Sequence, residues 1–258
     1  MLSKKAQIRF LMNELAGIIS FFTALDSLKP GKKEIHDLRI NVKKIKALLE
    51  VNKIRGYDAG SLTLHRMNNL FRTAGNIRNS QVILTSIQKT EIKEKKIIAY
   101  HENIIRENAK KLLREIPGHL NMINDFREEL VTFKLKSISN KDVLLYHEVK
   151  SDYLKKIFKE PLNPDTLHEG RKQIKHILYL QEMIHPPTLD MIPLNFGNLD
   201  KLQVLIGKWH DAVVLLDFVR EFKSGKKNKG LKSLVQQQKK QFEEIRTYLL
   251  DKKYDIYR

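Results

Sequence analysis

Cysteine is absent from the 258 residues. That excludes disulfide staples and thiolate metal sites and makes the reducing cytoplasm the expected location. Proline and glycine are scarce, 7 and 11 residues, and fall mainly between long stretches whose apolar residues recur at helical spacing. Alternating runs of strand type are scarce too, so the expected fold class is all-α. No uninterrupted apolar run approaches the ~18 residues of a membrane span, which argues against an integral membrane protein. Acids are the last shortage. Lysine and arginine number 48 against 30 aspartates and glutamates, a net +18. A fold does not require this charge, which raises self-repulsion in the compact state; a polyanionic partner would relieve it.

The N-terminus carries Lys4 and Lys5 ahead of apolar residues, as a secretory signal does, but Asn13 and Glu14 interrupt the run. Ile8, Leu11, Leu15, Ile18, Phe22 and Leu25 recur instead at the spacing of one helix face, so the segment reads as a helix of the mature chain. Lys29-Pro30-Gly31 ends it, and Ile35, Leu38, Val42, Ile45 and Leu49 mark the apolar face of a second helix. A third is expected from Ser61 through the eighties and a fourth over 92–114, closed by Pro117-Gly118. A bridging helical segment (116–138) then leads to helices over 141–158, 165–184, 199–222 and 231–251, with a basic loop from Ser224 to Gly230 between the last two.

The two halves repeat each other. His36-Asp37-Leu38-Arg39 recurs 132 residues on as His168-Glu169-Gly170-Arg171, and Lys43 and Leu48 recur as Lys175 and Leu180. Gly75-Asn76-Ile77-Arg78-Asn79 maps at the same offset onto Gly207-Lys208-Trp209-His210-Asp211, and Val82 and Leu84 onto Val214 and Leu216. One ungapped offset across two separated motifs points to a duplicated bundle of about four helices per half, with half-repeats at 1–115 and 139–252 of a single domain spanning 1–258. Pseudo-two-fold symmetry would let the basic faces of both halves converge on one central surface.

His36, Arg39, Lys43 and Lys46 fall at i, i+3, i+7 and i+10 and share one helical stripe; His168, Arg171, Lys172 and Lys175 repeat the arrangement, with Tyr179 and Glu182 farther along. Like charges at this spacing repel. Taken singly, either stripe reads as a solvated basic face, but recurrence at a fixed offset favours a binding surface. Arginine suits phosphate because its planar fork donates two parallel hydrogen bonds, and lysine adds a compact point charge. A histidine beside such a stripe donates to a phosphate oxygen or serves in capping and packing, and a nearby anion favours its charged form. Gly75 and Gly207, inside helical sequence, each cost about 1 kcal/mol relative to alanine, which close helix packing or backbone approach to a ligand would offset. Arg72 and Arg78 lie near the first glycine, Lys208 and His210 near the second, and Asp211 is placed to hold one of these cations.

Catalysis has weaker support. The His-Asp and His-Glu dipeptides at 36, 168 and 210 point about 100° apart on a helix and do not address one ligand from one face. No His-Glu-x-x-His, Walker-type loop or dinucleotide fingerprint occurs.

These motifs give the chain a family resemblance. His36-x-x-Arg39-x-x-x-Lys43-Lys44-x-Lys46, His168-x-x-Arg171-Lys172-x-x-Lys175 with Tyr179-x-x-Glu182, and Leu205-x-Gly207-x-x-His210-Asp211 together resemble the CHAD family, the conserved histidine α-helical domains, over nearly the whole length. The resemblance implies two pseudo-symmetric four-helix halves with a basic central groove or pore. It also implies non-enzymatic binding of inorganic polyphosphate through His36, Arg39, Lys43, Lys44, Lys46, Arg72, Arg78, His168, Arg171, Lys172, Lys175, Lys208 and His210. No catalytic residue, metal or cofactor is expected. The cytoplasm and its polyphosphate granules are the expected location, with granule-associated proteins as further partners. Two departures stand out. Lysines at 43, 44 and 46 replace the family's usual arginines, keeping charge but losing the bidentate fork. Arg78-Asn79 stands where the second half has His210-Asp211. The competing readings are a protein that binds RNA or DNA backbones and an enzyme that processes polyphosphate; few aromatics interleave the cations, so single-strand stacking is not evident.

Overall fold

The computed structural model describes residues 1–53, 61–88, 95–132, 135–159, 161–222, 229–251 and 255–257. Among them there are nine helices, no strand and two isolated β-bridges. The helices are α1 (Lys4–Ala24), α2 (Lys32–Lys53), α3 (Ser61–Gln88), α4 (Lys95–Thr132), α5 (Asn140–Ile157), α6 (Pro164–Gln181), α7 (Pro186–Asp190), α8 (Phe196–Phe222) and α9 (Lys229–Leu250). None among the described residues is long and apolar enough to cross a membrane. Most of the expected basic loop Ser224–Gly230, at residues 224–228, lies outside the described residues, as does the expected start of the fourth helix at Ile92.

The chain divides into two compact units. The first comprises Met1–Leu84, Lys95–Val143 and Met183–His185; the second comprises Thr85–Glu94, Leu144–Glu182 and Pro186–Arg258. In the first, α1 packs on α2 and on α4. Ser3 caps α1 by accepting from the Ala6 N–H at 3.2 Å, and Leu11, Leu15, Ile18 and Phe22 bury the face that meets its neighbours. Backbone hydrogen bonds of 2.8 and 2.9 Å between Leu2 and Ile138 fasten the start of the chain. The buried Gln7 accepts from Asn52 Nδ2 at 2.9 Å, so its polar end stays satisfied inside the core.

Proline at 117 does not end the fourth helix. Helix α4 runs through it for 38 residues, so the separate bridging segment expected after Pro117-Gly118 is continuous with the helix before it. A proline removes one i→i−4 hydrogen bond and crowds the preceding turn, at about 3 kcal/mol. Ala109 and Leu112 on one side and Met122, Ile123, Phe126 and Leu130 on the other are almost wholly buried. At roughly 1.5–3 kcal/mol per large apolar side chain, that burial outweighs the break.

In the second unit α6 packs on α8 and α8 on α9. Asn163 accepts from the Asp165 N–H at 2.9 Å, Pro164 occupies the first turn, and Asp165 faces the positive end of the helix dipole. Leu167, Ile174, Ile177 and Leu180 then form the buried face of α6. Arg171 is thus left on another face, against α8, and Lys172 is exposed.

Candidate polyanion-binding site

In the first unit the basic stripe of α2 lies over α3. Arg39 Nη1 donates to the backbone carbonyl of Phe71 at 2.8 Å, and its guanidinium carbon stands 4.0 Å above the Phe71 ring. The ammonium groups of Lys43 and Lys46 lie 5.6 and 4.8 Å from the same ring centroid. Lys46 also donates to Asn68 Oδ1. Three cations therefore share one aromatic ring, whose quadrupole attracts each of them while they repel one another. Burial, and then the Arg39 charge, push the Lys46 ammonium below its ordinary value.

The glycine follows from this arrangement. A Cβ at Gly75 would lie 2.5 Å from Arg39 Nη1, so position 75 must be bare for the guanidinium to lie against α3. The second unit repeats the device 132 residues on. Arg171 Nε donates to the Gln203 carbonyl at 3.1 Å, and a Cβ at Gly207 would lie 2.9 Å from Arg171 Nη2. Both arginines reach a carbonyl 32 residues away. What offsets the glycine cost is close approach by an arginine of the neighbouring helix. Burial lowers the Arg171 pKa, and the charge of Asp211 works against that.

The second unit lacks the ring, since Gln203 stands at the position of Phe71. It has a histidine pair instead. The rings of His168 and His210 lie 4.0 Å apart between centroids and are tilted by 30°. Burial, the partner ring and the charges of Lys172 and Arg171 together lower His168 to about 4. His210 is lowered as well, by burial first, while Asp211 opposes the shift. Lys172 is exposed and 3.0 Å from Glu169.

The thirteen expected residues do not all gather. Lys44 points to α1, where it meets Glu14 at 3.5 Å and lies 5.9 Å from the Phe10 ring. Adjacent residues on a helix diverge by about 100°, which separates Lys44 from Lys43. His36, Arg72 and Lys208 are exposed; Lys175 and Arg78 are half-buried. The residue that sequence reasoning missed is Phe71. Its signal was spacing: Asn68 and Phe71 precede Gly75 by seven and four residues and so lie on the face that the bare position marks. Among the described residues no group of three or more histidine, aspartate or glutamate side chains is placed to hold a metal ion.

Fold and site define the class: an all-helical protein whose arginine- and lysine-bearing helices lie over bare glycines of their neighbours. The chain belongs to the CHAD domain family, whose model matches residues 21–220. Among solved structures, the CHAD domain from the plant Ricinus communis superposes with a TM-score of 0.68 at 14% identity, covering 93% of this chain and 86% of that one. No curated protein matches the chain.

Proposed function

We propose that this protein binds inorganic polyphosphate without altering it chemically, through the α2–α3 surface of the first unit and the α6–α8 surface of the second. The observation that carries this reading is the gathering of Arg39, Lys43 and Lys46 around Phe71. Like charges so placed destabilise a bare protein, and a linear polyanion turns that cost into affinity. Arg39 and Arg171 are committed to interhelical hydrogen bonds, so the lysines add point-charge phosphate contacts and the arginines fixed charges behind them. Counterion release should dominate the affinity, by analogy with nucleic acids. Location on cytoplasmic polyphosphate granules, with granule proteins as neighbours, follows from the same reading.

The test is a titration with long-chain polyphosphate at rising salt, with tRNA at matched phosphate as competitor, for the parent and for the combined variant K43Q/K46Q/K172Q/K175Q. The parent should bind with a log-log salt slope of about −4 if roughly six cations are neutralised at ~0.7 each. A folded variant that binds as tightly as the parent removes this site. Ready displacement by tRNA replaces polyphosphate with nucleic acid, and shortening of the chains during incubation makes the protein an enzyme.

A further inference from the structure

The two units carry different chemistry at equivalent positions. Position 210 is histidine and its counterpart 78 is arginine, so at these positions the second unit sets one imidazole against another and the first does not. The Nδ1 atom of His168 is buried and has no hydrogen-bond partner. Charged groups of α6 and α8 act on this pair. Helix α6 presents Glu169, Arg171 and Lys172, and α8 presents Asp211. From α5, Lys150 donates to Gln173 at 2.5 Å, and Gln173 in turn donates to Glu169. The two cations Arg171 and Lys172 oppose protonation of both rings, and Glu169 and Asp211 favour it. A polyphosphate chain drawn to Arg171 and Lys172 adds negative charge at the same place and reverses that balance. Rings 4.0 Å apart do not both accept a charge readily, so the pair titrates as a unit.

Resting on the polyphosphate reading above, we infer that His168 and His210 make the second unit's surface a proton-linked site: the pair is uncharged when free at neutral pH and takes up one proton, not two, when polyphosphate binds. Acidification then strengthens binding at this surface. The aromatic-centred cluster of the first unit, built on arginine and lysine, has no such pair. If the bound polyanion restores one imidazole to about its ordinary pKa of 6.5, lowering the pH from 7.5 to 5.5 raises the affinity about tenfold.

The experiment is calorimetric titration of the full chain with long-chain polyphosphate, whose internal phosphates stay ionised across this range. It is run at pH 7.5 and 5.5, and at each pH in two buffers of different ionisation enthalpy, which counts protons directly on the parent without any substitution. About one proton taken up per protein at the lower pH is expected, with the tenfold gain in affinity. In H168Q/H210Q, checked for folding by circular dichroism, both the proton uptake and the gain should fall away. Uptake of two protons or of none by the parent, or a pH dependence that persists in the double variant, overturns the proton-linked pair and leaves polyphosphate binding standing. Absence of binding at both pH values overturns the polyphosphate reading and this inference with it.

Discussion

An alanine at position 75 sets effects of known size against one another. In the interior of α3 it gains about 1 kcal/mol over glycine. Its Cβ, however, would stand 2.5 Å from Nη1 of Arg39, too close for that nitrogen to stay. The guanidinium is the end of a flexible side chain, so it moves and the backbone does not. The move breaks the 2.8 Å hydrogen bond to the Phe71 carbonyl and loosens the 4.0 Å contact with the ring. A hydrogen bond from a charged donor is worth roughly 1.5–3 kcal/mol. Here the acceptor keeps its place in the helix and the freed arginine regains water, so a loss of about 1–2 kcal/mol is the better figure. The cation–π contact adds about 0.5–1 kcal/mol. The net loss is about 0.5–2 kcal/mol, or roughly 1–4 °C in Tm for a chain of this size. Gly118→Ala is the control, because nothing lies within 4 Å of a Cβ there, and it should raise the Tm. Circular dichroism melts of both variants, with polyphosphate titrations at three salt concentrations, decide the matter. G75A should melt lower, bind more weakly and show a shallower salt slope. If G75A is stabilised as much as G118A and binds as the parent does, Arg39 is not lodged against Gly75.

Two further outcomes follow from the same geometry. Lys44→Gln should leave polyphosphate affinity within about twofold of the parent and cost up to ~1 kcal/mol in urea unfolding, since Lys44 is spent on Glu14; a tenfold loss of affinity returns Lys44 to the site. The free protein should also lose stability between pH 7 and 5. His101, His119, His168 and His210 all have folded-state pKa values below the ordinary 6.5, so the unfolded chain binds more protons in this window and stability falls as pH falls through 6.5, for His168 down to about 4. A Tm unchanged from pH 7 to 5 contradicts their burial in neutral form.

Much of the helical framework was legible in the letters because apolar faces follow the 3.6-residue period, and Leu38, Val42 and Ile45 are buried as their spacing requires. What the period does not encode is which neighbour a polar side chain finds. Lys43 and Lys44 are adjacent and basic, yet one faces Phe71 and the other Glu14. Pro117 misled for a related reason. A local breaking rule loses when apolar residues on both sides of the proline pack as one face. The glycines at 75 and 207 correctly announced a close approach; that the visitor was Arg39 or Arg171 depends on how α2 and α6 cross their neighbours.

The arginine and the glycine recur 132 residues apart, and their surroundings differ. Arg39 spends Nη1, one arm of its terminal fork, on the Phe71 carbonyl, whereas Arg171 spends Nε on the Gln203 carbonyl. Bidentate capture of phosphate uses paired donors on one edge of the guanidinium, so the two arginines present different edges to a ligand. The first unit adds two lysines over a shared ring, a cluster suited to charge density rather than to bidentate geometry. The second unit has Gln203 in place of that ring and sets a tilted histidine pair beside its arginine, so on the proposed reading its binding should depend on protons as well as on charge. Equivalent positions in the repeat therefore carry unequal chemistry, and losing Arg39 should not have the same effect on binding as losing Arg171.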